Sequence, residues 1–149
     1  MFIFTPKIYH MKKPLIFLLA IVALMNYSFA GNSPAPEGKK AKIVVKFSFD
    51  NIEEGYDHDN KTEVYIDGKL VGTSTVKRES KKNSVKVTTT KGNHEIRIVN
   101  YAYYEGNWEE HTIANNYSQD FIYSANMNIT KGCTKIKLLF DVDNGMQVK

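Results

Sequence analysis

The sequence predicts an all-β fold, an antiparallel two-sheet β-sandwich of about seven or eight strands. Short segments alternate apolar and polar residues with the period of two that is typical of half-buried strands. Glycine-containing turns separate these segments every eight to twelve residues, and no segment has the apolar periodicity of an amphipathic helix. A single open sheet would leave one apolar face uncovered, so two packed sheets are favoured. A small β-barrel is the alternative.

The first half of the domain predicts a strand, a long polar loop and a hairpin. Residues Lys42 to Phe49 place Ile43, Val45, Phe47 and Phe49 on one face. Thr62 to Ile66 resumes the sheet after an acidic loop, and Asp67-Gly68 then predicts a two-residue type I′ turn, because both central residues of that turn need positive φ. Leu70 and Val71 begin the returning strand.

The second half of the domain predicts the remaining strands. Glu105 to Asn107 could join two of them as a hairpin, although the second arm could instead form a short helical turn. The strands are centred on Val85 to Thr89, Ile96 to Ile98, Val99 to Tyr104 with Trp108 to Ile113, Phe121 to Ile129, and Ile136 to Val142.

The N-terminus has the three parts of a secretory signal peptide. Lys12 and Lys13 precede an apolar run of 11 residues, and Ser28-Phe29-Ala30 provides a cleavage site after Ala30. Eleven apolar residues are too few to span a bilayer, so contact with the membrane is expected only through the cleaved signal peptide. We expect a signal peptide over residues 1–30 with Met11 as a possible true start, a linker over 31–40, the sandwich over 41–145 and a tail over 146–149. This organisation predicts a periplasmic or secreted protein.

Net charge argues against nucleic acid as the partner. The formal charge is +4, from 20 basic and 16 acidic residues, but three of the lysines lie in the leader and the remainder carries only +1. Nucleic-acid binding would need a basic patch on the folded domain. The remaining cluster (Lys77, Arg78, Lys81 and Lys82) is interpreted as a solvated hairpin loop, with an anion contact as the alternative.

One segment resembles a known family. Residues 64–99 combine the hairpin VYIDGKLVG with the strand KGNHEIRIV, and this pattern resembles PEGA-type domains. The likeness is carried by Val64, Asp67, Gly68, Gly72, Gly92, His94, Ile96 and Ile98. The resemblance implies a small extracytoplasmic β-sandwich used for binding or as a spacer, and it implies no catalytic residues.

An aromatic segment is the strongest candidate for a binding surface. It comprises Tyr101, Tyr103, Tyr104, Trp108 and Tyr117, with Glu110 among the acidic and amide residues around it. Exposed rings can stack on sugars or on the apolar surface of a protein. Aromatic residues also favour strands for packing alone, so a core role is the competing interpretation.

A weak metal site is suggested by three carboxylates. Asp57, Asp59 and Glu63 offer oxygen ligands at alternating positions, as in a loop that wraps calcium, although Lys61 interrupts the pattern. Asp141, Asp143 and Asn144 form a similar short run. No other cofactor is expected.

No residue set has the spacing of an enzyme site, so we expect a non-enzymatic protein. His58, His94 and His111 lack a recognisable nucleophile and orienting group. Cys133 is single and is expected to be a buried thiol, or else an intermolecular bridge. The hypotheses are a module that binds a protein or cell-surface glycan, a carbohydrate-binding module that uses the aromatic segment, and a small hydrolase or inhibitor.

Overall fold

The structure is a computed structural model and describes residues 38–149. The predicted signal peptide and most of the predicted linker lie outside the described residues. In the described part of the chain, no helix is long and apolar enough to cross a membrane. The strands, in chain order, are β1 (Lys40–Asp50), β2 (Asp59–Ile66), β3 (Lys69–Thr73), β4 (Lys77–Arg78), β5 (Asn83–Thr90), β6 (Gly92–Tyr104), β7 (Asn107–Glu110), β8 (Ile122–Ile129), β9 (Cys133–Asp141) and β10 (Gly145–Val148).

These strands form two sheets that pack as a β-sandwich, which confirms the predicted fold class. The four-stranded sheet has the order β10-β9-β1-β5. The six-stranded sheet has the order β3-β2-β6-β7, with β4 paired to β2 and β8 paired to β6. The sheets do not close into a barrel, so the alternative architecture is wrong.

The core lies between the sheets and consists of the residues that alternate inward. On β1, Ile43, Val45, Phe47 and Phe49 are all buried, as the alternation predicts. The six-stranded sheet contributes Val64, Ile66, Ile96 and Ile98, and β9 contributes Ile136, Leu138 and Phe140. The apolar faces of both sheets are therefore covered by each other.

Two glycines with positive φ values lie at turns between strands. Asp67 and Gly68 have φ values of 52° and 76°, so the β2–β3 hairpin has the positive φ values that a type I′ turn requires. Gly92 has a φ of 134° and lies where the chain leaves β5 in one sheet and enters β6 in the other. That conformation strains any residue with a Cβ atom.

Several details differ from the sequence prediction. β1 and β9 pair in parallel within an otherwise antiparallel structure. Two strands were predicted on either side of Ile98 and Val99, but β6 is one continuous strand of 13 residues. Both of these residues are buried, and the strand has no break between them. The predicted hairpin of β6 and β7 is present, but its second arm ends at Glu110 and a 3-10 turn over Ile113–Asn115 follows.

Three further corrections concern the ends and the loops. Residues 146–149 are not a tail, because β10 pairs with β9 from Gly145 to Val148. Lys77 and Arg78 in the basic cluster form β4, a short strand that pairs with the start of β2. Cys133 is exposed, because its position on β9 alternates with the buried Ile136 and points away from the core.

Candidate functional site

The six-stranded sheet divides the predicted aromatic segment between its two faces. Successive residues of a strand point to opposite faces. Ile96 and Ile98 of β6 face the core, so Tyr104 continues on that inner side while Tyr101 and Tyr103 point outward. The structure therefore replaces one predicted aromatic surface by two separate groups.

The outward group is organised by cross-strand pairing between β6 and β7. Tyr101 lies opposite Glu110, and Tyr103 lies opposite Trp108. The rings of Tyr103 and Trp108 are 5.1 Å apart between centroids and inclined at 55°. Their exposed fractions are 43% and 37%, so both rings present part of their surface to solvent. Cross-strand aromatic pairs of this kind stabilise a sheet while leaving their outer surface free.

Charged side chains surround this pair. The ammonium nitrogen of Lys61 lies 5.1 Å from the ring centroids of both Trp108 and Tyr101, within cation–π distance. We call the outward group the outer aromatic face, and its members are Lys61, Glu63, Tyr65, Arg97, Tyr101, Tyr103, Trp108 and Glu110.

Hydrogen bonds fix the polar members of the outer aromatic face. The hydroxyl of Tyr65 donates to Oε2 of Glu63 over 2.6 Å, and Nζ of Lys61 donates to Oε1 of the same carboxylate over 2.8 Å. The hydroxyl of Tyr101 donates to Oε1 of Glu110 over 3.2 Å, and Arg97 lies 3.7 Å from the other oxygen. Glu63 is therefore held by partners on its own strand, β2, and Glu110 by partners on the neighbouring strand, β6.

The pKa values of this face follow from these contacts. Burial alone would raise the pKa of Glu63, but the hydrogen bonds from Lys61 and Tyr65 lower it below its usual range. Burial and the contact with Tyr65 raise the pKa of Tyr101. Glu63 is therefore ionised and Tyr101 protonated across the neutral range.

The inward group lines a cavity of about 600 Å³ at one end of the sandwich. Tyr104 and Tyr117, which were predicted to belong with Trp108, lie here instead. We call this the end cavity. It is lined by Ile52, Glu53, Tyr56, His58, Glu79, Tyr104, Glu105, Glu109, His111, Asn115, Asn116, Tyr117, Ser118 and Val142.

The structure does not gather the predicted metal ligands around one point. Asp57 accepts hydrogen bonds from the backbone and hydroxyl groups of Ser80, and Asp59 lies 3.5 Å from Nε of Arg78. Glu63 belongs to the outer aromatic face. Residues 38–149 hold no group of three side chains suited to bind a metal. Calcium binding therefore stays a prediction, and the positions of these three carboxylates do not support it.

The second acidic run forms a turn. One oxygen of Asp141 accepts hydrogen bonds from the backbone amides of Asp143 and Asn144, and the side chains of Asn51 and Asn144 also donate to this carboxylate. The hydrogen bonds from Asn144 and Asn51 lower the pKa of Asp141 to about 2. Its carboxylate thus links the loops that follow β1 and β9.

His94 ties together two turns. Its Nδ1 lies 2.7 Å from a carboxylate oxygen of Asp67, and its Nε2 lies 3.0 Å from the backbone carbonyl of Thr90. Both partners are hydrogen-bond acceptors, one on the β2–β3 turn and one at the end of β5. The side chain therefore holds the β2–β3 turn against the end of β5.

Sequence reasoning identified Tyr101, Tyr103, Trp108 and Glu110 together, but missed Tyr65 and Arg97. The alternation of β2 and β6 could have placed both on the outer side, once their buried neighbours were assigned to the core. It also missed Glu79 in the end cavity, which lies in a segment of mostly exposed polar residues. No protein-family model matches this chain, and no curated protein is significantly similar to it.

Proposed function

We propose that this protein is an exported, non-enzymatic binding module whose outer aromatic face binds carbohydrate. The observation that carries the proposal is the pair of half-exposed rings of Tyr103 and Trp108, set among fixed charged groups on a flat sheet surface. The secretory leader pattern and the PEGA-like segment support the exported, non-catalytic part of the proposal.

The chemistry of the outer aromatic face matches that of a sugar ring. A pyranose has an apolar face of C–H groups, which stacks on an aromatic ring, and a rim of hydroxyls that donate and accept hydrogen bonds. The rings of Tyr103 and Trp108 supply the first kind of contact. Lys61 and Glu110 lie next to the rings on neighbouring strands and supply the second. Their hydrogen bonds within the sheet hold them in place before a ligand arrives, which reduces the entropic cost of binding.

A protein partner is less well matched to this surface. The centres of protein–protein interfaces are depleted of charged residues. Here Lys61 contacts both Tyr101 and Trp108, and Arg97 lies over the ring of Tyr65 at 5.8 Å. A polar ligand tolerates these charges without desolvating all of them.

A glycosidase is also less well matched. Its general acid needs a carboxyl group with a raised pKa. The pKa of Glu63 is instead lowered by its hydrogen bonds to Lys61 and Tyr65. This supports binding without turnover.

The test is a glycan panel followed by calorimetric titration of the best binder, a readout that also serves a variant without tryptophan. Trp108 is the only tryptophan, so its emission reports directly on a sugar that stacks there. We expect Trp108→Ala and Tyr103→Ala each to weaken binding at least about fivefold, since truncating an aromatic residue that dominates a binding surface costs more than about 1 kcal/mol. Because both rings are partly exposed, each substitution should change the free energy of unfolding by less than about 1 kcal/mol.

Tyr104→Ala is the matched comparison. This tyrosine adjoins Tyr103 in sequence but points to the other side of the sheet, so carbohydrate binding should stay within about twofold of the unchanged protein. Equal losses in the Tyr103 and Tyr104 variants, or no binding to any glycan in the panel, would contradict the proposal. A protein ligand that is lost with Trp108→Ala would replace carbohydrate as the ligand class.

A further inference from the structure

The end cavity is a second site with its own chemistry. It lies where the loop after β1, the residue that follows β4, the chain beyond β6 and the end of β9 come together. Its volume of about 600 Å³ is in the range of pockets that bind small organic molecules. It does not contain Tyr103 or Trp108, so it is independent of the proposed carbohydrate surface.

The end cavity is lined by acidic side chains and carries negative charge. Four carboxylates line it, and among residues 38–149 no lysine or arginine does. Two tyrosines respond to this negative potential. The charge of Glu105 raises the pKa of Tyr104, and burial together with the charges of Glu109 and Glu79 raises the pKa of Tyr117 to about 12. A cation placed in this cavity would therefore be stabilised.

Aromatic rings form much of the wall. His58 contacts Tyr104 edge to face, with ring centroids 5.5 Å apart and planes at 86°, and Tyr56 packs on the other side of His58 at 6.0 Å. Deeper in the cavity, the ring of His111 lies between Tyr117 at 4.1 Å and Phe121 at 4.0 Å. The faces of tyrosine rings attract cations, and the apolar parts of a ligand can pack on the same rings.

Three buried polar atoms of the end cavity lack hydrogen-bond partners within residues 38–149. Glu79 is 3% exposed and His111 is 4% exposed. Oε1 of Glu79, Nδ1 of His111 and the hydroxyl of Tyr117 are buried and make no hydrogen bond within the described part of the chain. Oε1 of Glu79 lies 3.6 Å from Nδ1 of His111, which is longer than a hydrogen bond. Leaving such groups unpaired destabilises the buried site, so a ligand that satisfies them binds more favourably.

We propose that the end cavity binds a small organic amine in its protonated form, with its ammonium group at Glu79 and Tyr117 and its carbon skeleton against the aromatic wall. An ammonium group donates hydrogen bonds, which Oε1 of Glu79 and the Tyr117 oxygen can accept. Its single positive charge also offsets part of the negative charge of the four carboxylates, which a neutral ligand or water does not. An anionic ligand would meet the same carboxylates with repulsion.

The experiment compares three probes of nearly the same shape by calorimetric titration of the full-length protein at pH 7. Phenethylamine carries an ammonium group, 2-phenylethanol carries a neutral hydroxyl, and phenylacetate carries a carboxylate. We expect phenethylamine to bind at least about tenfold more tightly than 2-phenylethanol, and phenylacetate not to bind. Equal affinity for the amine and the alcohol, or no binding of phenethylamine at millimolar concentration, overturns the proposal.

Substitutions locate the ammonium group. Glu79→Gln keeps the shape of the side chain and removes its charge, and it should weaken phenethylamine binding at least about tenfold. Glu54→Gln removes a charge from an exposed residue beside the cavity lining and should leave the affinity within about twofold. Equal effects of the two substitutions would show only a general charge effect and would overturn the assignment to Glu79.

A second variant keeps the test decisive if Glu79→Gln does not fold. Tyr104 is 42% exposed, so Tyr104→Ala should leave the fold intact and weaken phenethylamine binding by removing part of the aromatic wall. Trp108→Ala should leave phenethylamine binding unchanged. A loss with Trp108→Ala, or no loss with Tyr104→Ala, would place the amine elsewhere and overturn the proposal. Neither outcome depends on whether a glycan binds the outer aromatic face.

Discussion

The outer aromatic face and the end cavity use the same residue types in opposite ways. On the outer face, the carboxylates of Glu63 and Glu110 accept hydrogen bonds from tyrosines, and the rings are the part left open. In the end cavity, the rings pack on one another, and Oε1 of Glu79 is left without a donor. The first arrangement suits a ligand that brings an apolar surface. The second suits a ligand that brings hydrogen-bond donors and positive charge.

The core beneath the end cavity should respond most strongly to substitution. Phe121 is fully buried and stacks on both His111 at 4.0 Å and Phe140 at 4.9 Å. Phe121→Ala should lower the free energy of unfolding by about 3–5 kcal/mol, because it leaves a cavity in a closely packed core.

Urea unfolding measures this change, and the native-state emission of Trp108 should stay the same because the outer aromatic face does not contact Phe121. Phe121→Leu, which keeps most of the volume, is the control and should cost less. A loss below about 1 kcal/mol in Phe121→Ala would show that the floor of the end cavity is not anchored in the core.

A smaller effect is expected from a buried polar cluster that links the two regions. Nδ2 of Asn100 donates to Oδ1 of Asn60 over 3.2 Å and to Oγ1 of Thr62 over 3.1 Å. Asn60 in turn donates to the backbone carbonyl of Lys77, two residues before Glu79. Asn100→Ala leaves buried acceptors without donors and should cost about 1–3 kcal/mol.

Amide hydrogen exchange shows where this loss occurs. Protection should fall more at Glu79 and His111, whose backbone amides bond to neighbouring segments, than at the amides between β2 and β6. The exposed Asn126→Ala is the control and should change stability by less than about 0.5 kcal/mol. Equal losses of protection in both regions would contradict a selective link between Asn100 and the end cavity.

The stability of the outer aromatic face should depend weakly on pH through Glu63. Because the pKa of Glu63 is lowered from its usual 4.5 by Lys61 and Tyr65, its ionised form stabilises the folded state. This contribution is fully present above about pH 4.5 and is lost as the pH falls through the lower folded-state pKa.

Thermal unfolding between pH 7 and pH 3 should therefore show a loss of stability below pH 4.5 that is smaller in Glu63→Gln. A change in Trp108 emission should accompany protonation, since Lys61 contacts both Glu63 and Trp108. An identical acid profile in Glu63→Gln would show that this carboxylate does not hold the outer aromatic face together.

Much of the fold follows from local signals. Alternation identified the buried faces of β1, β5 and β9, and Asp67-Gly68 identified its hairpin, because both depend on neighbouring residues alone. The parallel contact of β1 with β9 was not predictable, since it depends on which strand lies beside another in space. β10 was missed because Gly145 to Val148 is short and pairs only as an edge strand.

The candidate sites were predictable to a smaller extent. Tyr103 and Tyr104 are adjacent in the sequence, but they point to opposite faces of the sheet because both lie on the extended strand β6. The end cavity brings Glu79 close to His111 and Tyr117, which lie on other loops. Their spacing in the sequence does not predict this proximity. The sheet face of a residue on paired strands can be predicted from the alternation of the sequence. Contacts between residues on different loops can be predicted only from the tertiary structure.

The parallel pairing of β1 with β9 also determines when the domain can fold. β1 lies between β5 and β9 in the four-stranded sheet, and β9 is synthesised only after β1 to β8. Until β9 emerges from the ribosome, one edge of β1 lacks a partner and is free to pair with another chain. Contacts between such distant parts of a chain also slow folding. The four-stranded sheet is therefore completed only after β9 has been synthesised, and a chain that ends before Cys133 would leave the edge of β1 open to aggregation.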